Sequence, residues 1–182
     1  NEGYIYAIDL DLRKFFDTVN HSKMLQVLYK TIKAPRVMRL ISRMLRVKIM
    51  EDGKCTKSQI GLPQGSALSP VLANILLNEL DQEPDRRGLH FIRYADDLLI
   101  LCKSQRAAER VLISISRFIE GKLFLQINKE KTHVSRLSPK VKFLGFGFYQ
   151  NRNGTWTAIV HAKSRAKLRD KMRELLDRRC PR

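Results

Sequence analysis

Two adjacent acidic residues, Asp96 and Asp97, separate two apolar segments of the sequence, 91–95 and 98–101. Adjacent like charges repel each other, so the pair needs either solvent or a cation. Considered by itself, the Asp96–Asp97 pair would be explained by a solvated turn, because aspartate favours turns through its local hydrogen bonds. A further acid, Asp11, ends another predicted strand, 4–12. If that strand pairs beside the segments around Asp96, three carboxylates meet at one end of a sheet.

Three converging carboxylates indicate a site for a hard divalent cation, since oxygen ligands suit magnesium. Two such ions, roughly 3.5–4 Å apart, activate an attacking oxygen and stabilise a leaving one in phosphoryl transfer. Asp9 and Asp17 are weaker candidates. Asp9 shares a face with Asp11, whereas Asp17 lies near a helix start, where a capping role is favoured.

The elements that must position these acids follow from hydrophobic periodicity and from turn residues. After the first strand we predict a helix capped by Asn20 or Ser22, a helix from Pro35 and a hairpin over 47–60 with an Asp52–Gly53 turn. The second half should contain a loop at 61–70, a helix begun by Ser66 or Ser69, a turn at 83–88, two strands within 90–101, a helix capped by Ser104, strands at 123–127 and 133–136, a hairpin within 141–160 and a helix over 162–178. Interleaved strands and helices predict an α+β fold with a split, ferredoxin-like sheet.

The charge balance points to a polyanionic partner. The 182 residues contain 35 Lys and Arg against 18 Asp and Glu, a net charge of +17, which favours nucleic acid over an anionic membrane surface. The three cysteines are far apart and fit neither a disulfide framework nor a zinc pattern. No signal peptide or membrane-spanning run is visible, so we expect an intracellular protein, in a bacterial cytoplasm or alternatively in an organelle.

Five ordered segments resemble motifs A to E of group II intron reverse transcriptases. They are 11–17 with Asn20-His21, 62–70 with 72–74, Tyr94-Ala95-Asp96-Asp97, 128–132 and Phe143-Leu144-Gly145-Phe146. The resemblance implies a polymerase palm, an antiparallel sheet backed by helices. It also implies that Asp11 and Asp96 chelate two magnesium ions, for which manganese could substitute. Asp97 would support them, and the backbone carbonyl of Leu12 would be a further ligand.

The same resemblance assigns substrate contacts. Phe16 falls where the family places an aromatic ring against the incoming sugar; without the motif, a core position would be favoured. Gln64 and Gly65 belong to a loop whose glycine allows the backbone to approach a ligand closely, and the Gln64 side chain can donate and accept hydrogen bonds. The alternative is a simple turn at the start of a helix. Lys131 resembles the motif D lysine proposed to protonate pyrophosphate, against the alternative of a solvated charge.

The last predicted helix carries Arg165, Arg169 and Arg173 at a spacing of four, so we expect these side chains to bind RNA phosphates, although a solvated basic face is a serious alternative. By position this helix should begin a thumb. We therefore divide the chain into a palm, 1–160, and the start of a thumb, 161–182. The fingers that should precede motif A, and the rest of the thumb, are expected to be absent.

The function expected from this resemblance is RNA-directed DNA synthesis within a retroelement protein that also assists intron splicing. The alternative is an RNA-binding maturase scaffold with little or no polymerase activity. Expected partners are intron RNA as template, a primer and deoxynucleoside triphosphates, without a membrane. We expect the chain alone to be weak or inactive as a polymerase. Exposed surface would also permit a two-fold homodimer, which the high charge opposes.

Overall fold

The computed structural model describes residues 3–46, 49–51, 54–56, 60–63 and 65–176 of the chain. In chain order its elements are β1 (Tyr6–Asp11), α1 (Phe15–Thr18), α2 (His21–Thr31), α3 (Pro35–Leu45), β2 (Ile49–Glu51), β3 (Lys54–Thr56), α4 (Ser69–Arg86), β4 (His90–Tyr94), β5 (Asp97–Cys102), α5 (Gln105–Phe118), β6 (His133–Arg136), β7 (Phe146–Gln150), β8 (Trp156–Val160) and α6 (Ala162–Leu176). A π-helical turn, Ile119–Leu123, extends α5. No helix among the residues described is long and apolar enough to cross a membrane.

An antiparallel sheet with the strand order β4-β5-β1-β6 positions the predicted acids. The hairpin of β4 and β5 lies on one side of β1, with β5 next to it, and β6 pairs with β1 on the other side. This is the order expected of a ferredoxin-like βαββαβ arrangement. The predicted palm-type fold of mixed helices and antiparallel sheet is therefore confirmed.

The helices α4 and α5 back one face of this sheet. Alternation along the strands places Ile8, Leu10, Leu98 and Ile100 in the main core. The helix starts follow predicted capping residues: the backbone N–H of Lys23 donates to the Asn20 side chain over 3.0 Å, and that of Ala107 donates to Ser104 over 3.2 Å.

The opposite face of the sheet is partly covered by the β7–β8 hairpin. Ala7 and Leu99 form a second buried cluster with Leu137 and Phe143. Leu144 and Gly145, with φ of 50° and 86°, make the tight turn that closes Phe143 onto Phe146 through two backbone hydrogen bonds of 2.9 Å. The helices thus back one face of the sheet, and the hairpin covers part of the other.

Three local predictions need adjustment. The hairpin predicted at 47–60 is present as paired β2 and β3, but Asp52 and Gly53 lie outside the residues described. The predicted turn at 83–88 is wrong in its first part, because α4 continues through a buried Pro84 to Arg86. The predicted strand at 123–127 is also wrong. Phe124 adopts a left-handed conformation with φ of 56°, and only Ile127 forms an isolated bridge, to Leu12.

Candidate active site

The register of the central strands brings two of the predicted acids face to face. Asp11 is the Cα partner of Asp97 across the β1–β5 ladder. Side chains of directly opposed residues have Cβ atoms about 4.5–5.5 Å apart and project from the same face. Tyr94 pairs with Asp97, which leaves Ala95 and Asp96 as the two turn residues between β4 and β5. Asp96 therefore stands immediately beside the opposed pair.

Asp11 is fixed by a loop that follows α5. The Asn128 amide donates to its carboxylate over 2.9 Å, and the Lys131 ammonium lies 3.4 Å from the same oxygen. The Asp11 backbone N–H donates to the Thr132 hydroxyl over 3.2 Å, and its carbonyl accepts from the Asn128 N–H over 2.9 Å. The structure thus places Lys131 beside Asp11. It also adds Asn128, to which the sequence alone assigned no role.

The electrostatics of the site reflect crowded negative charge. Although Asp97 is exposed overall, partial desolvation of its carboxyl, followed by the charges of Asp96 and Asp11, raises its pKa above the usual value, while Lys131 opposes the shift. Burial also raises the pKa of Asp9; His133 opposes this shift, and Asp97 and Asp11 add to it. Asp9 is therefore within electrostatic reach of the site, more closely associated with it than the sequence indicated.

A bidentate ion pair fastens the turn that carries Asp96. Nε and one terminal nitrogen of Arg93 donate to the two oxygens of Asp81 on α4, each over 2.6 Å. Another nitrogen donates to the Ala95 carbonyl over 2.9 Å. Ala95 has φ of 52°, a left-handed conformation that is costly for a residue with a Cβ. The available sequence signal was an arginine inside an otherwise apolar strand, which requires an acidic partner.

Phe16 and Asp96 line one small cavity of about 80 Å³, together with residues of α4. The Phe16 ring is half-buried and packs edge-on against Phe15, with ring centroids 5.4 Å apart. Phe15 is buried in the core, as predicted. Phe16 therefore lies both against the core and beside the acidic turn.

The remaining predicted contacts lie in three places: just after β1, in the loop before α4 and on α6. Leu12 is buried and immediately follows Asp11. Gly65 is exposed with φ of 84°, in the left-handed region that favours glycine, and Gln64 lies outside the residues described. On α6 the predicted phosphate contacts Arg165, Arg169 and Arg173 are all exposed, and Arg173 lies 3.8 Å from Asp170.

The donor chemistry at Asp11 and Asp97 fits a divalent cation. Both residues offer carboxylate oxygens, and their mutual repulsion is what a bound cation would relieve. Among the residues described, no group of three or more His, Cys, Asp or Glu side chains is already gathered into a metal site. The structure therefore pairs two acids directly and leaves the third in the adjoining turn.

Comparisons with known proteins agree with this geometry. Residues 1–148 match the family described as reverse transcriptase (RNA-dependent DNA polymerase). Protein YkfC of Escherichia coli is 26% identical over 81% of this chain and 48% of its own length. Group II intron-encoded protein LtrA of Lactococcus lactis is 24% identical over 96% of this chain and 41% of its own. The chain thus spans less than half of these curated relatives.

Among solved structures, apo telomerase from Candida tropicalis, truncated from its C-terminal domain, aligns with a TM-score of 0.67 at 15% identity, over 85% of this chain and 35% of that one. This similarity concerns the fold. The sequence matches also confirm the predicted resemblance to group II intron reverse transcriptases. Reverse transcriptases generally use divalent metal ions, in keeping with the acidic site. The chain belongs to the reverse transcriptase (RNA-dependent DNA polymerase) family.

Proposed function

We propose that this chain is the palm of an RNA-directed DNA polymerase that copies an RNA template into DNA. In that reaction the primer 3′-oxygen forms a bond to the α-phosphorus of a deoxynucleoside triphosphate, and the bond to pyrophosphate breaks. The observation that carries the proposal is the opposition of Asp11 and Asp97 across β1 and β5, with Asp96 in the adjoining turn. Membership of the reverse transcriptase family supports it.

Asp11, Asp96 and the carbonyl of Leu12 would hold two magnesium ions, supported by Asp97; manganese could take their place. When bound, such ions lower the pKa of the attacking hydroxyl and neutralise charge on the leaving oxygen. The chain's own contribution is to orient the ligands. Asn128 holds one carboxylate oxygen of Asp11, and Arg93 holds the turn that presents Asp96.

Other side chains would select and release the substrate. Phe16, beside Asp96 at a small cavity, would lie against C2′ of the incoming sugar and exclude a ribonucleotide. Lys131, whose ammonium is close to Asp11, would donate a proton to the departing pyrophosphate. Gln64 and Gly65 would contact the sugar, base or phosphate of the substrate from the loop before α4.

We further propose that the chain forms part of a longer enzyme, with a palm at 1–160 and the start of a thumb at 161–182. The share of its relatives that it spans supports membership of a longer enzyme. The position of α6, which begins directly after the β7–β8 hairpin, supports the division. Arg165, Arg169 and Arg173 of α6 would bind template or primer phosphates. Fingers from elsewhere in the enzyme would complete the triphosphate site.

The proposed template is intron RNA, and assistance of splicing is a proposed second activity. The net charge of +17 and the similarity to LtrA support both. A bacterial cytoplasm is the proposed location, by analogy with that Lactococcus lactis protein. The homodimer considered above stays a prediction.

Primer extension tests the function. The full-length enzyme, given an RNA template, a DNA primer, deoxynucleotides and Mg²⁺, should extend the primer, and Asp96→Ala or Asp97→Ala should abolish extension with RNA binding largely retained. Asp85→Asn, at an exposed acid near the end of α4, is the matched control and should extend normally. RNA binding by the wild-type enzyme without extension, in either Mg²⁺ or Mn²⁺, would support the scaffold alternative instead.

A further inference from the structure

A row of four arginines runs along the outer side of α3. Arg36, Arg39, Arg43 and Arg46 recur at intervals of three, four and three residues, so they share one helical stripe. All four are exposed, whereas Ile41 and Leu45 of the same helix are buried. At 1.5 Å per residue the stripe is about 15 Å long. The helix contains no acidic residue to neutralise it.

The stripe borders a groove between α2 and α3. This groove has a volume of about 460 Å³ and is lined by Tyr29, Leu25, Met38, Arg39, Gln26, Ser22 and Ser42. Tyr29 is 55% exposed, so its ring is accessible from solvent. The Lys33 ammonium lies 4.8 Å from the centroid of the Tyr29 ring and covers one side of it. The groove thus combines an accessible aromatic ring, a largely apolar lining and fixed positive charge along its border.

These features do not belong to the acidic site. α3 packs on α2, and α2 packs on α4, which backs the sheet. The stripe and the groove therefore lie in a helical layer outside the one that supports Asp11 and Asp97.

We propose that the α2–α3 groove is a second nucleic-acid site, which binds single-stranded RNA with one base stacked on Tyr29 and the backbone along the four arginines. Arginine forks match phosphate geometry, and stacking on an aromatic ring tolerates any base. An acidic protein helix would satisfy the charge as well, whereas a single-stranded RNA uses both the arginines, for phosphate, and the exposed ring, for a base. The proposal rests on the proposed function for its class of ligand. It would let RNA remain anchored at a distance from the catalytic carboxylates.

The test is RNA binding by this chain in the presence of EDTA, so that it does not depend on polymerase activity. The probe is a fluorescein-labelled oligouridylate of about 12 nucleotides, within the usual range of single-strand site sizes. Anisotropy is measured over a salt series. One variant carries Arg36→Gln, Arg39→Gln, Arg43→Gln and Arg46→Gln. The charge-matched control carries Arg106→Gln, Arg110→Gln, Arg117→Gln and Lys122→Gln, at exposed positions on and after α5.

The α3 variant should lower the steepness of log K against log salt by about 3, since each phosphate contact of a single strand contributes roughly 0.7. The control should keep the wild-type slope. Tyr29→Leu should weaken binding about tenfold, the typical effect of losing one stacked base, while Tyr29→Phe should bind as the wild type does. Far-ultraviolet circular dichroism checks that every variant remains folded.

Equal loss of slope in both charge variants would overturn the proposal, because net charge alone would then explain binding. Unchanged affinity in Tyr29→Leu would also overturn it. Two further measurements could overturn the proposal. In competition against the labelled probe, a stronger effect of duplex RNA than of unlabelled single strand would contradict it. In a vesicle-binding assay, so would an α3 variant that loses binding to phosphatidylserine vesicles while keeping its binding to RNA. Failure of the proposed function would instead appear as absent primer extension with this binding intact.

Discussion

Residues distant in sequence hold a single carboxylate in place at the site. Asn128 lies 117 positions from Asp11 along the chain. Its side-chain amide donates to the Asp11 carboxylate, and its backbone N–H donates to the Asp11 carbonyl. Loss of a side chain that orients a metal ligand typically costs about 10- to 100-fold in metal affinity or activity. Asn128 should therefore matter if Asp11 holds metal, as proposed above.

Removing the Asn128 amide should impair the use of metal ions without destroying the fold. We expect Asn128→Ala to raise the Mg²⁺ concentration needed for half-maximal primer extension, or to lower the extension rate, by about 10- to 100-fold. Asn153→Ala, at an exposed position between β7 and β8, is the control and should leave both unchanged. An Asn128→Ala enzyme with the wild-type Mg²⁺ dependence would exclude Asn128 from the metal site.

Phe16 should control the choice of sugar. We expect Phe16→Val to increase ribonucleotide incorporation relative to deoxynucleotide by about 10- to 100-fold, because a smaller side chain leaves room for the 2′-hydroxyl. Phe16→Tyr keeps the ring and should keep the selectivity. The measurement is the ratio of kcat/KM for the two nucleotides, and an unchanged ratio in the valine variant would return Phe16 to a purely packing role.

Residue types predicted part of this site but not its connections. Asp11 and Asp97 were identified because acids at the ends of apolar strands are conspicuous, and the register places these two opposite each other. Asp9 was ranked low although it shares a face with Asp11, because sequence does not show how far its carboxyl is buried. Arg93 was missed because its partner, Asp81, lies on another element.

The ion pair between Arg93 and Asp81 ties β4 and its turn to α4. We expect Arg93→Lys to lower the free energy of unfolding by about 1.5–3 kcal/mol, since a lysine cannot reproduce two parallel hydrogen bonds to a carboxylate. Both side chains are largely shielded from solvent, with exposures of 14% and 23%, so solvent screening reduces the effect only in part.

Denaturant unfolding of Arg93→Lys, Asp81→Asn and the double variant gives the coupling between the two residues. We expect a coupling of more than about 1 kcal/mol and a parallel loss of extension rate, because the turn would no longer be held. Additive effects of the two substitutions would show that the pair does not act as a unit. Arg86→Lys, at an arginine in a more exposed pair on the same helix, is the control and should change stability little.

Elements with local signals were predictable, whereas those decided by distant contacts were not. Asn20 and Ser104 cap helices through side-chain hydrogen bonds within three residues. Pro84 lies in the segment predicted as a turn, yet it is buried within α4, where its packing outweighs the missing N–H. The apolar stretch around Leu125 resembles a strand in sequence, but only the bridge between Leu12 and Ile127 forms there.

The whole molecule is dominated by positive charge, a property that sequence alone gives completely. With +17 net charge we expect this chain to bind RNA and its affinity to fall about a thousandfold or more between 50 and 200 mM salt, if six or more phosphates are neutralised. Filter binding or anisotropy over a salt series measures this. Affinity independent of salt would contradict an electrostatic interface.

The same chain should synthesise little DNA on its own. If the fingers come from another part of the full-length enzyme, as proposed above, the triphosphate on this chain would be positioned only by bound metals, the loop around Gly65 and the sheet. Extension assays that compare this chain with the full-length enzyme at equal RNA occupancy test the prediction. Processive synthesis by the chain alone would show that the palm is sufficient.

We propose that Asp11, Asp96 and Asp97 form a two-metal polymerase site, and anomalous scattering from manganese would locate the ions. Crystals of the full-length enzyme with Mn²⁺, an RNA–DNA template-primer and an incoming deoxynucleotide should show two anomalous peaks roughly 4 Å apart between the Asp11 and Asp96 carboxylates. Peaks elsewhere, or carboxylates of Asp11 and Asp96 more than about 10 Å apart, a separation that two such ions cannot bridge, would contradict the account.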